Sequence, residues 1–402
     1  MRRLTSAILA TSLLVPLVTI SAPAQAVPAR RIAYGQWDSP AQLRSGTTAG
    51  TRVTAGRISL PAGTATGRWT SPWTSPGFAL TELVASWSAR TPGDSAVRVE
   101  VRGRTGSTTS SWDTLAVWAA GDRHVRRTTS SGQADDLGSV AVDTWRVPGG
   151  VTSYQLRLTL TRAAGQASSP SVDTVGAVAS RLPDVSDVPT SRPGPARGVV
   201  LDVPRYSQMI HSGEFPQYGG GGEAWCSPTS TSMVLGYYDA LPRPADYRWV
   251  GAGHRDPWVD HAARMTYDYD YDGTGNWPFN TAYAASLAGH AFVTRLRSLR
   301  EAERYVAAGI PLVASIAFGP GELTGAPISS SNGHLVVIVG FTASGDVVVN
   351  DPAAATDAGV RRTYDRGQLE DAWIPASGGT VYVIHDDAHP LPAGLPGAPA
   401  GP

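Results

Sequence analysis

The chain is 402 residues long, 42% of them hydrophobic, and its 33 lysine and arginine residues are balanced by 33 aspartate and glutamate residues. Because the formal net charge is zero, no long-range field attracts nucleic acid or an anionic membrane surface, and neither is expected as a partner. A globular chain of this length exceeds what one hydrophobic core usually organises, so two domains are expected.

The first residues have the pattern of a secretory signal peptide. Arg2 and Arg3 precede an apolar run over residues 4–20, and Ala24-Gln25-Ala26 offers a cleavage site of small residues. Hydroxyl residues and a proline interrupt the run, which disfavours a spanning helix of about 20 apolar residues. No later segment is apolar enough to cross a bilayer. We therefore expect residues 1–26 to be removed and the mature protein to be secreted and extracellular, with no membrane partner.

Residues 31–182 have the periodicity of an all-β domain. Hydrophobic and polar residues alternate along 83–87, 97–102 and 154–161. Turns rich in glycine, proline, serine and threonine separate these segments, and no stretch has a convincing helical pattern. The pattern predicts an antiparallel, jelly-roll-like β-sandwich that serves as an accessory domain.

Several tryptophans of this first domain are candidates for a sugar-binding surface: Trp69, Trp73, Trp112 and Trp118. Exposed aromatic rings stack on sugar rings, which would allow the domain to contact glycan. Because tryptophan is highly buried on average, the favoured alternative is that most of these rings fill the core of the sandwich.

A proline-rich linker over residues 183–198 separates the first domain from a second one. Its four prolines and few apolar side chains predict an extended segment. The second domain is assigned to residues 199–386, and a tail rich in proline and glycine follows over 387–402.

The second domain has helical patterns early and strand patterns late. Apolar residues recur at helical spacing over 229–238 and 298–308, and Gly309 ends the second of these helices. Later segments have the composition of strands: 311–318, 334–341, 346–350 and 380–385. Helices followed by antiparallel strands predict an α+β domain.

The only cysteine of the chain, Cys226, lies in the stretch GGGGEAWCSPTSTS. It cannot form an internal disulfide, and an exported free thiol is open to oxidation, so a chemical role is favoured over an inert buried thiol. The proline and small hydroxyl residues that follow indicate a helix start, and a helix N-terminus stabilises a thiolate. The preceding glycines allow a substrate to approach the backbone.

A later segment offers the base that a nucleophilic thiol needs. His334 begins a predicted strand, and Asn350 and Asp351 end the next strand after a turn at 343–346. A hairpin of these strands brings the histidine and the two polar residues to the same end. An acid or amide there orients the imidazole within a nucleophile–base–orienter triad. The alternative for His334 is a strand-end histidine bonded to a backbone carbonyl.

The order of these motifs resembles the C39-type, papain-like cysteine peptidases, in particular their secreted, actinobacterial type. The matching segments are VPRYSQ (203–208), WCSP (225–228), GHLVVIVG (333–340) and NDP (350–352). The resemblance covers residues 199–386 and implies a papain-like fold and a hydrolase that needs no cofactor. ATP-binding and membrane segments of the transporter-fused branch are not found, so the double-glycine leader substrates of that branch are not carried over.

The resemblance implies four roles, in the order nucleophile, base, orienter and side-chain donor of the oxyanion hole: Cys226, His334, Asp351 and Gln208. The backbone N–H of Cys226 is the second oxyanion donor. Gln217 competes with Gln208 because it lies nine residues before the cysteine rather than eighteen. Asn350 competes with Asp351 because papain itself uses asparagine. Ser227 stands where the family usually has glycine, which puts the backbone at the nucleophile in question.

Two acidic segments raise the question of a metal site. Residues 254–261 offer His254, Asp256, Asp260 and His261, but a solvated loop that enters a helix is the favoured interpretation. Residues 268–276 match the first half of a calcium loop, whereas Phe279 stands where its bidentate glutamate is due. An EF-hand is therefore not expected; a looser calcium site remains open beside a polar loop along the substrate cleft. No metal or cofactor is predicted.

Together these features predict a secreted cysteine hydrolase that cleaves a peptide, isopeptide or other amide bond through a thioester intermediate. Peptide or cell-wall-type material is the expected substrate. The alternative is a non-catalytic extracellular protein that binds peptide or glycan on a degenerate peptidase fold. A third hypothesis is acyl transfer to an amine, since the same triad serves transglutaminases.

Overall fold

The computed structural model describes residues 29–398, so the predicted signal peptide lies outside the described residues. Two β-rich halves occupy most of this range, and the proline-rich segment joins them. Among the described helices, none combines the length and the apolar character needed to span a bilayer.

The first half contains two antiparallel sheets and one short helix. Its elements are β1 (Arg31–Trp37), α1 (Pro40–Ser45), β2 (Thr47–Ala49), β3 (Arg52–Thr54), β4 (Arg57–Ser59), β5 (Thr66–Thr70), β6 (Leu80–Arg90), β7 (Ser95–Thr105), β8 (Thr108–Thr109), β9 (Asp113–Trp118), β10 (Thr128–Thr129), β11 (Ser139–Ala141), β12 (Thr144–Val151), β13 (Ser153–Arg162) and β14 (Ser171–Arg181). One sheet has the order β11-β12-β6-β14-β4-β3, with β1 also paired to β14. The other has the order β10-β9-β7-β13-β5-β2, with β8 paired to β7.

The two sheets enclose the hydrophobic core that the alternating pattern predicts. Val99 of β7 pairs with Leu158 of β13, and both side chains are fully buried. The predicted β-sandwich is therefore present in the first half. The helix α1 was not predicted, because its six residues are too few for a periodic signal. A capping box between Ser39 and Gln42 and a proline in the first turn stabilise it instead.

The second half is built around one antiparallel sheet of six strands. Its elements are α2 (Cys226–Tyr237), α3 (Pro257–Thr266), α4 (Trp277–Ala288), β15 (His290–Arg295), α5 (Leu299–Val306), β16 (Leu312–Phe318), β17 (Ser331–Phe341), β18 (Val347–Asn350), β19 (Arg361–Tyr364), α6 (Arg366–Ser377) and β20 (Thr380–His385). The strand order is β15-β20-β16-β17-β18-β19. The four predicted strands correspond to β16, β17, β18 and β20, and the two predicted helices to α2 and α5.

Helices cover both faces of this sheet, which explains the unbroken apolar run of β17. Val337 and its alternate neighbours Leu335 and Val339 share one core with α2 and α4. Val336 and Ile338 point to the opposite face and pack with α5 and α6. Because both faces are buried, nearly every position of the strand is hydrophobic.

The two halves share one continuous hydrophobic core rather than meeting through a polar surface. The rings of Trp87 and Trp118, from the first half, lie 6.3 and 5.4 Å from that of Phe279 in α4. Arg127 is fully buried and donates to the carbonyl of Arg264 at 2.7 Å. These contacts fix the relative position of the two halves.

The linker predicted over 183–198 contains no helix or strand, but it is bound along the second half. The backbone N–H groups of Ser191 and Gly194 donate to the carboxylates of Glu370 and Glu303, each at 2.6 Å. Arg366 donates to the Ser191 carbonyl at 2.7 Å. The linker is therefore attached to α5 and α6 instead of extending freely into solvent.

Candidate active site

Cys226 is the first residue of α2 and lies partly exposed at the floor of a cleft. The residue before it, Trp225, is fully buried, and its indole N–H donates to the carbonyl of Tyr218 at 2.7 Å. No side chain caps the N-terminus of this helix, so its free backbone N–H groups face the region of the sulfur. This arrangement favours negative charge at the sulfur and at a bound carbonyl oxygen.

The glycine run before Cys226 is required by the backbone conformation. Gly219, Gly220 and Gly221 have φ angles of 74°, 99° and 111°, which strain any other residue. A Cβ atom on Gly222 would lie 2.4 Å from the backbone of His211. The run therefore allows the chain to turn tightly and to pack against its neighbour just ahead of the cysteine.

His334 lies in β17 beside the cysteine and is almost completely buried. Its Nε2 is 2.8 Å from Oδ1 of Asp351, which leaves Nδ1 available to the Cys226 thiol. Burial disfavours the charged imidazolium, but the charge of Asp351 and the bonds to Asp351 and Cys226 outweigh it and raise the pKa of His334 to about 10. The imidazole is therefore held protonated at neutral pH.

Asp351 is fully buried and bonded by three neighbours. Besides His334, it accepts from the Tyr364 hydroxyl at 2.6 Å and from the Ala353 backbone N–H at 3.0 Å. Burial raises the pKa of Asp351, but the opposing charge of His334 and these hydrogen bonds lower it overall. Tyr364 had not been expected at the site, because its position depends on the pairing of β19 with β18.

Asn350 points away from the histidine and has a different set of partners. Its Nδ2 donates to the carbonyl of Pro204 at 2.9 Å, and its Oδ1 accepts from Arg361 at 2.6 Å. The amide thereby ties the VPRYSQ segment to β18. Between the two competing residues, it is Asp351 that contacts His334.

Gln208 lines the same cleft as Cys226 and begins a short 3-10 helix, Gln208–His211. Its backbone N–H donates to the carbonyl of Pro352 at 2.9 Å, and its Nε2 donates to the carbonyl of Glu223 at 2.6 Å. The second hydrogen on Nε2 is not used by that bond. Gln217, the competing residue, is exposed and does not line the cleft.

Ser227 lies in the first turn of α2, is fully buried and does not line the cleft. Its hydroxyl is 2.8 Å from that of Tyr382 in β20, and both side chains are fully buried. The departure from glycine at this position is therefore accommodated by a polar contact with the sheet, and the backbone of α2 remains helical from Cys226 onward.

Both halves of the chain form the cleft, which has a volume of about 790 Å³. The first half contributes the turn between β11 and β12, where Val142 has a φ of 55°. Asp143 in this turn accepts from the Trp277 backbone N–H at 3.0 Å, which fastens the turn to the start of α4. Burial raises the pKa of Asp143 to about 6.

The acidic segment 268–276 joins the two halves through Asp268. This buried carboxylate accepts from the backbone and hydroxyl of Thr129 at 3.0 and 2.8 Å and from Asn276 at 3.0 Å. Because protein donors satisfy it, the first carboxylate of the segment that matches a calcium loop needs no cation. Tyr271 of the same segment is 47% exposed and lines the cleft.

The segment 254–261 is a loop that enters a helix, as expected, but part of it is buried rather than solvated. Its second part is the first turn of α3, and Asp260 and His261 are buried there, with exposed fractions of 0% and 7%. In the part of the chain that the structure describes, one group of potential metal ligands lies close together, and it includes Asp260, with His211 and Glu214.

The tryptophans of the first half divide between its core and its surface. Trp69 and Trp118 are fully buried, as most were expected to be. Trp73 and Trp112 are half-buried, and the guanidinium of Arg102 lies 5.1 and 4.5 Å from the centres of their rings. A sugar would have to displace this arginine, and contact with glycan stays a prediction.

Comparisons with known proteins cover both halves of the chain. Residues 33–180 match the family model described as Peptidase C39 N-terminal domain, and residues 200–381 match that of the Peptidase_C39 like family. No curated protein matches the chain. These two matches agree with the resemblance found in the sequence motifs.

Similar solved structures cover parts of the chain. A fragment of prointerpain A from Prevotella intermedia is 14% identical, covers 50% of this chain and 77% of its own, and has a TM-score of 0.30. The potassium-bound carbohydrate recognition domain of Emp46p is 10% identical, covers 34% of this chain and 89% of its own, and has a TM-score of 0.22. Scores of this size do not define a shared fold.

Proposed function

We propose that this chain, which belongs to the C39-like peptidase family, is a secreted cysteine peptidase with a papain-like second domain and a triad of Cys226, His334 and Asp351. The observation that carries this proposal is the buried His334–Asp351 pair beside the thiol at the N-terminus of α2. Acyl transfer through a thioester requires a nucleophile, a base beside it and a carboxylate that orients the base. These three residues supply those roles in that order.

The first stage of the reaction forms a thioester. With its proton already held by His334, the Cys226 sulfur attacks the carbonyl carbon of the substrate as a thiolate, and the carbonyl electrons move to oxygen. The Cys226 backbone N–H and the Gln208 side chain donate to this oxyanion. When the intermediate collapses, the C–N bond breaks and the imidazolium donates its proton to the leaving nitrogen.

The second stage of the reaction regenerates the resting pair of thiolate and imidazolium. Neutral His334 removes a proton from water, and the water oxygen attacks the thioester carbonyl. Collapse of this second oxyanion expels the Cys226 sulfur and releases a carboxylic acid. The carboxylate of Asp351 holds the imidazole in one orientation and stabilises its protonated form, while Tyr364 holds Asp351 in place.

The substrate that fits this cleft best is an extended peptide. The cleft lies between the two halves of the chain, and its lining combines backbone, hydroxyl and charged groups that suit a polypeptide more than an apolar ligand. Arg146 of β12 and Tyr271 border it from opposite halves. A cell-wall peptide crosslink has the same amide chemistry and belongs to the same substrate class.

A library of random peptides, incubated with the wild-type protein and with Cys226→Ala, tests the proposal. We expect cleavage products with the wild type and none with the variant. If neither protein cleaves but both retain peptides, the chain is a binding protein on a peptidase fold. Addition of free amines during the same incubation distinguishes hydrolysis from acyl transfer, because an amine acceptor appears in the product.

A further inference from the structure

Beneath the 3-10 helix that carries Gln208 lies a second cluster of titratable side chains, which the proposed reaction does not use. It contains His211, Glu214 and Asp260, and one potential ligand atom of each lies within 4.8 Å of the others. The three residues come from the end of the 3-10 helix, the turn after it, and α3. The fold therefore brings together residues that are up to 49 positions apart (260 − 211).

The fully buried carboxylate of this cluster, Asp260, lacks a hydrogen-bond partner in the described part of the chain. Asp260 has 0% exposure, and neither of its oxygens has a hydrogen-bond partner among the described residues. Its nearest cation is His211, whose Nδ1 is 3.4 Å away and also lies 2.9 Å from Glu214. Even a protonated His211 is therefore shared between two carboxylates, and its hydrogen bond goes to Glu214 rather than to Asp260. A buried carboxylate without donors is unfavourable, so a further cation or proton is required.

A fourth side chain meets the cluster from the loop before α3. His254 Nδ1 is 2.9 Å from Oε1 of Glu214, yet it has no hydrogen bond of acceptable geometry in the described chain. This contact brings a second imidazole beside the two carboxylates. His254 is thereby placed to complete the set.

We infer that His211, Glu214 and Asp260, with His254 beside them, bind one divalent transition-metal ion, for which zinc is the best fit. Imidazole nitrogen and carboxylate oxygen are ligands of zinc at distances of about 2.0–2.2 Å, and tetrahedral zinc sites use four ligands. Ligand atoms around such an ion lie roughly 3.3 Å apart, close to the observed 2.9 and 3.4 Å. Calcium prefers six to eight oxygen ligands, which this mixed set does not supply.

The position of the cluster indicates what the ion does. His211 ends the short helix that Gln208 begins, and its ring lies 6.1 Å from that of Trp225, which directly precedes Cys226. Gly222 packs against the backbone of His211. An ion bound here would brace the segment from Gln208 to Cys226 and take no part in bond cleavage.

Zinc titration of a metal-free protein tests this inference. Because a thiol and an imidazole also bind zinc, the titration uses a Cys226→Ala background, which separates this site from the proposed catalytic pair. The protein is freed of metal with a chelator and titrated with zinc chloride, and separately with calcium chloride, by isothermal calorimetry. We expect one zinc ion per chain, no comparable binding of calcium, and a higher midpoint of thermal unfolding with zinc.

Matched variants locate the ion. Asp260→Asn and His211→Gln should abolish stoichiometric binding and the thermal shift, and Glu214→Gln, at a partly exposed position, serves where either variant fails to fold. His290→Gln removes an exposed histidine–aspartate pair elsewhere and should leave binding unchanged. Absence of stoichiometric zinc binding overturns the inference in favour of a proton shared between Glu214 and Asp260. Binding that survives all the cluster variants overturns it too, and neither result touches the peptidase proposal.

Discussion

His334 and Asp351 lie at adjoining ends of β17 and β18, with 2.8 Å between Nε2 of the imidazole and Oδ1 of the carboxylate. The hairpin between these strands fixes that distance, because Val337 pairs with Asn350 in its register. Both side chains are almost completely removed from water, so the attraction between their charges is weakly screened. The predictions below follow from this pair and from the groups around it.

Replacement of Asp351 tests the orienting carboxylate. Asp351→Asn keeps the shape of the side chain but removes the charge that stabilises the imidazolium, and we expect kcat for peptide cleavage to fall by up to about 10⁴-fold. Tyr364→Phe removes one hydrogen bond to Asp351 and leaves its charge, so a fall of about tenfold or less is expected. Equal losses in the two variants would contradict a role that depends on charge.

The pH dependence of stability tests the protonation of His334. The pKa of His334 is raised to about 10 from an ordinary value of 6.5, so the folded protein holds a proton that the unfolded chain loses between these values. The stabilisation is complete below pH 6.5 and is lost as the pH rises toward about 10. Urea unfolding of the wild type should therefore weaken over this range. His334→Gln should remove most of that slope, and an unchanged slope would contradict the assignment.

A pair of glutamine variants tests the oxyanion hole. Gln208→Ala should lower kcat by about 10²–10³-fold, because the removed donor acts on the charge of the intermediate. Gln217→Ala is the matched control, since that residue is exposed and outside the cleft, and it should retain wild-type kcat. The reverse order of effects would assign the donor to Gln217.

The contribution of the first half to substrate binding is tested at the border of the cleft. Arg146→Ala should raise KM for extended peptides by several-fold and leave the reaction of Cys226 with a small alkylating reagent unchanged, since only a long substrate reaches β12. Arg123→Ala, an exposed position of the same half that does not line the cleft, is the control. An equal KM in both variants would show that substrates bind to the second half alone.

The sequence predicts the elements that have a periodic hydrophobic pattern or clear residues at their ends. The alternation along β7 and β13 and the apolar run of β17 identify strands, because each reflects the burial of one or both faces. By contrast, α4 was not predicted, since it is buried on nearly every side and has no polar stripe. The helix α2 begins at Cys226, where proline and small hydroxyl residues indicate a helix start, three residues before the apolar periodicity begins at 229.

The sequence predicts the site residues that lie in recognisable motifs, and it does not predict those outside them. The cysteine, the histidine and the acid each stand next to a recognisable helix start or strand end. The contact of Tyr364 with Asp351 depends on the pairing of β18 with β19, a strand that carries none of the motifs. The burial of Asp260 likewise depends on how α3 packs beneath the segment that holds His211, and no local pattern reveals it.

Alkylation of the lone cysteine as a function of pH tests the central claim most directly. If His334 holds the proton of the Cys226 thiol, the wild type should react with iodoacetamide at a high rate that stays nearly constant through neutral pH. His334→Ala should then react as an ordinary thiol, slowly at neutral pH and faster as the pH approaches about 8.5. Identical rate profiles for the two proteins would contradict the thiolate–imidazolium pair and, with it, the proposed peptidase mechanism.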